Sequence, residues 1–184
     1  MPPDMSVNLS ELRSRLRALE DWRAVYEHEI NYAHLLDTGQ THRVAAEIFS
    51  ADAELDYGTG RLRGREAIHS FYSGFEAALR GTSHNLGNFH IEVQGDRARC
   101  SCRAMAWHWH KADESKTVPA SDLPAADLLA IGGYQDDLER VASGWRVTRR
   151  LCVQFGTGIG LGTATDAIRP IFEGLIGRLP TWPR

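Results

Sequence analysis

The sequence lacks every feature that would direct it to a membrane or to nucleic acid. No apolar run in its 184 residues is long enough to cross a bilayer, and the N-terminal residues lack the apolar region of a signal peptide. The net charge is −3, and the arginines are scattered, with no basic run interleaved with aromatic residues. We therefore expect a cytoplasmic protein without membrane or nucleic-acid partners.

There are only three cysteines, and they form no recognisable metal or redox motif. A single residue separates Cys100 from Cys102, which is not the spacing of a zinc site or a thioredoxin-type site. With Cys152 the number is odd, so buried, reduced thiols are the expected state. His108 and His110 make the only local metal-like spacing, which is common by chance, so we predict neither a metal nor a cofactor.

The glycine-rich stretch GTGIGLGTA at 156–164 is not a phosphate-binding loop. It lacks the Gly-Lys-Ser/Thr ending and does not follow the strand–loop–helix pattern of a dinucleotide site. We interpret it as a linker or lid that follows a single domain at 1–155. The remainder, to 184, is predicted to form a C-terminal helix and tail that pack on this domain or on a neighbouring subunit. The chain length suits one domain with a substantial core.

Periodicity and turn residues predict helices first and long strands afterwards. That order predicts an α+β protein with a curved, mostly antiparallel sheet wrapped around a long N-terminal helix, which leaves one cone-shaped cavity between them. The predicted helices span about 8–36, 41–49, 65–79 and 166–176, and the predicted strands span about 53–57, 82–93, 97–110, 127–140 and 144–155.

The long first helix carries an unusual acidic residue. A stripe at steps of three and four residues predicts its buried face, and this stripe ends in a carboxylate at Asp37. A carboxylate facing the interior needs a hydrogen-bonding or charged partner. The stripe consists of Leu12, Leu16, Leu19, Tyr26, Ile30, Ala33 and Asp37, with Arg23 occupying one place on it.

Strand 97–110 alternates in a way that predicts a cavity wall. Its even-numbered residues are small and apolar and then end in two histidines, so one face leaves room for a ligand and offers polar groups at its end. These residues are Ala98, Cys100, Cys102, Ala104, Ala106, His108 and His110. Trp107 and Trp109 point to the opposite face, where a partner subunit is expected to pack.

Four segments of the chain resemble the SnoaL-like branch of the nuclear transport factor 2-like superfamily. They cover about residues 19–150 and read LEDWRAVYEHEINYAHLLDTGQ, IFSADAELDYGTGRLRGREAIHSFY, GTSHNLGNFHIEVQGDRARC and GGYQDDLERVASGWRVTRR. The resemblance implies the same α+β fold. It implies less about function, because the fold hosts dehydratases, isomerases, cyclases, hydrolases and non-catalytic subunits.

Within that branch the sequence is similar to scytalone dehydratase, hexachlorocyclohexane dehydrochlorinase and bile-acid 7α-dehydratase. The resemblance places the helix-end Asp of these lyases on Asp37 and the strand-start His on His84, and it implies roles for Tyr57 and His108. The tyrosine that directly precedes the helix Asp in this pattern is Leu36 here. The ketosteroid isomerase pattern matches less well: Tyr32 corresponds to its helix tyrosine, but Tyr57 replaces its catalytic Asp.

These resemblances imply a cofactor-independent lyase. An Asp–His pair is a general base that removes a proton next to a leaving group, such as water, halide or a small carbon fragment like formaldehyde. The substrate is expected to be an apolar small molecule, aromatic or polycyclic. An isomerase or polyketide-type cyclase using the same base is one alternative, and a non-catalytic small subunit or binding module is another. The predicted catalytic residues are Asp37, His84, Tyr57 and His108, and the predicted substrate-binding residues are Tyr26, Tyr32, His34, Leu86, Ala106 and His110.

A homodimer or homotrimer is expected, because the open face of such a sheet is a large apolar surface. Each functional assignment has a structural alternative. Asp37 at a helix end and His84 at a strand start can serve only as hydrogen-bonding residues of the fold, and tyrosines on helices commonly pack in cores.

Overall fold

The structure, a computed structural model, describes residues 8–58, 60–111 and 128–157, without the side chains at 110 and 154–157. Residues 1–7 and 112–127 and the predicted helix at 166–176 lie outside this description. Three helices come early in the chain, and most of the strands follow them. The helices are α1 (Leu9–Asp37), α2 (Thr41–Glu47) and α3 (Gly64–Ala78), and the strands are β1 (Phe49–Asp56), β2 (Arg61–Arg63), β3 (Leu79–Gln94), β4 (Arg97–His110), β5 (Leu128–Val141) and β6 (Gly144–Thr157).

The six strands form one sheet in the order β2-β1-β6-β5-β4-β3. Only β1 and β6 are parallel, while the other neighbours pair antiparallel. Register shifts interrupt the pairing of β3 with β4, β5 with β6 and β1 with β6, and such bulges bend strands. The predicted α+β class and the curved, mostly antiparallel sheet are confirmed.

The predicted element boundaries are close for most of the chain. Strand β1 starts four residues before the predicted position, because the chain leaves α2 at Ile48 and pairs immediately with β6. The short strand β2 was not predicted, and β6 continues through Gly156 and Thr157 into the predicted linker. Gly133 in β5 lies so close to the backbone of β4 that an added Cβ would collide with the Cys102 carbonyl oxygen.

Helix α1 begins and ends where the sequence indicates. The Asn8 side chain accepts hydrogen bonds from the backbone amides of Ser10 at 3.1 Å and Glu11 at 3.3 Å. The helix stops after Asp37, where Thr38 caps it and Gly39 takes the left-handed conformation with φ of 69°. This stop leaves the Asp37 side chain in the last turn, beside the start of β3.

The prediction of which face of α1 is buried was wrong. Leu12, Leu16 and Leu19 are exposed, and Ile30 is 37 % exposed. The buried residues of the helix are Val25, Glu29, Tyr32, Ala33 and Leu35. The buried face was hard to see in the sequence because it includes the charged Glu29, which pairs with an arginine from a distant strand.

The three cysteines are buried and free, as predicted. The even-numbered residues of β4 from 98 to 108 are buried as well, in agreement with the predicted alternation. Among the described residues, no helix combines the length and the apolar composition needed to cross a membrane.

Candidate active site

Asp37 and His84 form a hydrogen-bonded pair between the end of α1 and the start of β3. The Asp37 Oδ1 atom lies 2.7 Å from His84 Nδ1, and Asp37 Oδ2 accepts the backbone amide of His84 at 2.8 Å. The Thr82 hydroxyl donates to Asp37 Oδ1 at 2.8 Å. Because a carboxylate only accepts, His84 Nδ1 carries the proton and Nε2 is the unprotonated nitrogen of the neutral ring.

The electrostatics of this pair favour an ionised aspartate. Partial burial by itself would raise the pKa of Asp37, but the hydrogen bonds from the ring and the backbone of His84 and from Thr82 outweigh it and hold the pKa below its ordinary value. The His84 side chain is 3 % exposed and the Asp37 side chain is 27 % exposed. The carboxylate therefore reaches water at its edge, while the imidazole is enclosed.

Three tyrosine hydroxyls meet in a cluster on α1, α3 and the residue that follows β1. The Tyr32 hydroxyl lies 2.9 Å from that of Tyr57 and 3.2 Å from that of Tyr72, and the Tyr57 and Tyr72 hydroxyls are 3.3 Å apart. Burial is the largest cause that raises the pKa of each of these phenols, so all three stay protonated at neutral pH. The cluster is a set of hydrogen-bond donors.

His108 completes this arrangement from strand β4. Its ring lies edge-on to the ring of His84, with 5.6 Å between the centroids, and it also contacts the ring of Phe75. Pairing of β3 with β4 places Thr82 opposite His108 and His84 opposite Ala106. The small side chain of Ala106 leaves open the space in front of the His84 ring.

All of these groups line one cavity of about 540 Å³. Most of the wall between the polar groups is apolar, as expected of a small-molecule site. Apolar lining residues include Leu36, Phe75, Leu79, Ala104, Ala106 and Val153.

A buried charge cluster lies behind the tyrosines. The Arg150 guanidinium donates to Asp136 at 2.5 and 2.9 Å and to Glu29 at 2.6 Å, and the three side chains are at most 1 % exposed. The guanidinium also lies 4.1 Å from the ring centroid of Tyr32 and 4.5 Å from that of Tyr134. Burial and the negative charge of Asp136 raise the pKa of Glu29 well above its ordinary value.

The sequence profile of the SnoaL-like domain matches residues 17–151 of this chain. The chain belongs to the SnoaL-like domain family. The match begins within α1 and ends within β6, and it includes Asp37, His84, His108 and the three tyrosines of the cluster. No curated protein matches the sequence.

Solved structures of similar proteins share the SnoaL-like fold. One from Novosphingobium aromaticivorans, whose name assigns it provisionally to the scytalone dehydratases, is 26 % identical, with a TM-score of 0.65 over 77 % of this chain and 88 % of that one. Another from the same organism, an NTF2-like protein with a cystatin-like fold, is 24 % identical, with a TM-score of 0.60 over 91 % and 97 %. A third, from Streptomyces avermitilis and provisionally named a dehydratase of the NTF2-like family, is 14 % identical, with a TM-score of 0.62 over 74 % and 97 %.

Some of the predicted site residues line the cavity and others do not. The four predicted catalytic residues line it, together with Tyr32 and Ala106. Tyr26, His34 and Leu86 are not among the described residues that line the cavity. The side chain of His110 lies outside the description.

Helix geometry explains why Tyr26 and His34 lie outside the cavity. Tyr26 is eleven residues before Asp37, and it stacks on Trp22 and contacts Phe89 instead of the cavity. His34 follows Tyr32 by two residues, which is about 200° around an α-helix, so it is exposed on the opposite side.

Leu86 packs against the main core cluster and also borders a second depression that includes Met105.

Two sets of residues were missed in the sequence. Tyr72 has a recognisable signal, since it lies four residues after Ile68 on the apolar face of α3. The cluster of Glu29, Asp136 and Arg150 has a weaker one: Val25, Glu29 and Tyr32 follow steps of four and three residues, so Glu29 lies on a helical stripe. The described part of the chain contains no group of three or more His, Cys, Asp or Glu side chains arranged to hold a metal ion.

Proposed function

We propose that the chain is a cofactor-independent lyase in which His84, oriented by Asp37, abstracts a proton from a carbon of the substrate. The observation that carries this proposal is the 2.7 Å hydrogen bond between Asp37 Oδ1 and His84 Nδ1 at the wall of an open cavity. The bond leaves Nε2 as the basic nitrogen, and the ionised aspartate stabilises the imidazolium that forms when the ring takes the proton.

The other polar groups of the cavity suit the remaining parts of an elimination. Breaking the C–H bond places negative charge on the substrate. A hydroxyl of the cluster of Tyr32, Tyr57 and Tyr72 can donate its proton to an oxygen on which that charge develops, in place of its bond to a neighbouring hydroxyl. A hydroxide leaving group needs a proton, and His108, 5.6 Å from His84 between ring centroids, is placed to supply it. The electrons of the C–H bond form the new double bond as the leaving group departs with its own pair.

The substrate class follows from the wall of the cavity. Its volume of about 540 Å³ and its apolar lining suit an aromatic or polycyclic small molecule with one or two oxygen functions. Water, a halide or a small carbon fragment such as formaldehyde are all leaving groups that this chemistry serves. The provisional scytalone dehydratase name of the 26 % identical structure favours water.

An isomerase or a polyketide-type cyclase remains the second candidate, because the tyrosine cluster would stabilise an enolate in either reaction. The mass of the product separates the classes: it is unchanged in an isomerisation and reduced in an elimination. The open cavity and the contact between Asp37 and His84 favour an enzyme over a non-catalytic module, since a module needs neither.

The test is a screen of hydroxylated and halogenated aromatic and polycyclic compounds, with products identified by mass. On any compound that is converted, Asp37→Asn and His84→Asn are expected to lower kcat by about 10²–10⁴-fold. His84→Asn removes the general base, and Asp37→Asn removes the carboxylate that orients the ring and stabilises the imidazolium. The matched control is His90→Asn, on the same strand, whose side chain is 71 % exposed. Full activity of either site variant, or equal losses in the control, would contradict the proposal.

We also propose that the protein forms a homodimer or homotrimer. Met105 is 47 % exposed and Ile131 is 42 % exposed, and the two residues pair across β4 and β5. Adjacent exposed apolar side chains of this kind support a subunit contact. Light scattering at several protein concentrations measures the oligomeric state.

A further inference from the structure

A row of leucines on the first part of α1 is exposed. Leu9, Leu12, Leu16 and Leu19 are 64, 51, 54 and 67 % exposed, respectively, and we call these four residues the leucine stripe. Every residue from 9 to 20 is exposed, so this part of the helix has no burial against the described remainder of the chain. The first link from the helix to the sheet is the ion pair of Asp21 with Arg140, at 2.8 Å.

Such a helical segment needs a partner. Twelve residues form about 18 Å of helix, and isolated helices of this length are marginal in water. The capping hydrogen bonds of Asn8 show where the segment starts, but capping alone contributes only about 1 kcal/mol. Burial of Leu12, Leu16 and Leu19 would supply stabilisation that the segment lacks.

The spacing of the leucine stripe indicates the kind of partner. Steps of three, four and three residues are the a and d positions of a heptad repeat, the pattern of a helix that packs on another helix. With Leu9 and Leu16 at a and Leu12 and Leu19 at d, the flanking e positions are Arg13 and Glu20. These two residues are of opposite charge. When two copies of the helix lie antiparallel, the charges on the flank of one stripe are therefore complementary to those on the flank of the other.

We propose that the leucine stripe is the interface of a homodimer in which two α1 helices pack antiparallel. Setting Leu16 of one copy against Leu19 of the other places Arg13 beside Glu20 of the second copy, twice by symmetry, because e positions face each other in an antiparallel pair. The same register brings Arg15, at g, beside the exposed ring of Trp22 of the second copy.

The antiparallel arrangement has two advantages over the parallel one. A parallel pair would continue the stripe to Arg23 at an a position and set it against Arg23 of the second copy, which places like charges in the seam. In the antiparallel register, Arg23 meets Leu12 of the second copy at the end of the overlap. The two sheets then extend in opposite directions from the paired segments, since each begins to contact its own helix at Asp21.

The test is sedimentation equilibrium of the full-length chain with charge-exchange variants. Arg13→Glu and Glu20→Arg should each weaken dimerisation by about ten-fold or more, because each sets like charges together at two symmetric places. The double variant R13E/E20R should restore the dissociation constant, since the exchanged charges are again opposite. The control is Arg17→Glu, the same charge change on the same exposed turn but outside the seam, and it should have no effect.

Cross-linking determines the orientation. The native cysteines are buried, so a single Leu16→Cys or Leu19→Cys substitution adds the only exposed thiol of the described residues. An antiparallel dimer should give a disulfide between the Leu16→Cys chain and the Leu19→Cys chain when the two proteins are mixed, at several times the yield of either alone.

Three outcomes would overturn the proposal. The first is an R13E variant that dimerises as wild type does, and the second is a preference for disulfides between identical variants. The third is a monomeric protein whose Leu16→Cys thiol is protected from labelling, which would mean that another segment of the same chain covers the stripe.

Discussion

Replacing Glu29 by glutamine is expected to make the protein more stable than wild type, by a difference that grows as the pH rises. In the folded chain Glu29 is fully buried, accepts a hydrogen bond from Arg150 at 2.6 Å and shares that single cation with Asp136. With both carboxyls ionised, the buried cluster would carry a net negative charge, which is costly away from water. Burial first, and then the charge of Asp136, raise the pKa of Glu29 well above 4.5, so the folded chain keeps the proton.

The direction of the pH effect follows from proton linkage. Above about pH 4.5 the unfolded chain releases the Glu29 proton while the folded chain holds it, so the free energy of unfolding falls as the pH rises towards the folded pKa. Each pH unit in this window costs wild type about 1.4 kcal/mol relative to a residue that does not titrate. Glu29→Gln keeps the acceptor for Arg150 and does not titrate.

Urea unfolding at pH 5, 6, 7 and 8 measures this effect. At pH 5 the variant should lie within about 1 kcal/mol of wild type, because glutamine matches the shape and hydrogen bonding of the protonated acid. The difference should then grow in favour of the variant until the pH reaches the folded pKa of Glu29, by at most about 1.4 kcal/mol per pH unit. The control is Glu27→Gln, on the same helix and 57 % exposed, which should follow the wild-type curve. A constant difference between Glu29→Gln and wild type across this pH range would refute the protonated state of Glu29.

Three further substitutions test other parts of the fold. Arg150→Met leaves the buried Asp136 without its cation and should lower the free energy of unfolding by about 3–5 kcal/mol in urea titrations. Burial lowers the pKa of His28 to about 4 from 6.5, so wild type should lose about 3 kcal/mol between pH 6.5 and 4, and His28→Gln should reduce this loss in acid unfolding. Gly133→Ala forces a Cβ onto the Cys102 carbonyl and should cost more than about 2 kcal/mol, seen as a lower Tm.

The local pattern of residues predicted most of the secondary structure. Strand β4 was predicted at its observed bounds, and the stop of α1 after Asp37 followed from Thr38 and Gly39. These features depend on neighbours in the sequence, namely the alternation along a strand and the left-handed conformation that glycine tolerates. The order of the elements was enough to predict the α+β class.

The orientation of α1 shows where local pattern fails. Three well-spaced leucines began the predicted buried face, yet they are exposed and the helix buries Val25, Glu29 and Tyr32. A charged residue joins a core only when a partner neutralises it, and the partner here, Arg150, is 121 positions away. The local spacing of residues does not indicate such a distant pairing. It counts every leucine as apolar, whether or not the leucine is buried.

The sequence by itself determined the family, the fold class and the extent of most helices and strands, and it indicated Asp37 and His84 as a candidate pair. Only the tertiary structure decided which side chains meet: that Asp37 lies 2.7 Å from His84, that three tyrosine hydroxyls gather in one cavity, and that the cavity excludes Tyr26 and His34. The physical reason is the separation along the chain of the residues that interact. Helix stops and strand alternation follow from backbone sterics and local hydrogen bonds, while the site arises from pairings between elements dozens of residues apart, which form only when the curved sheet closes around α1.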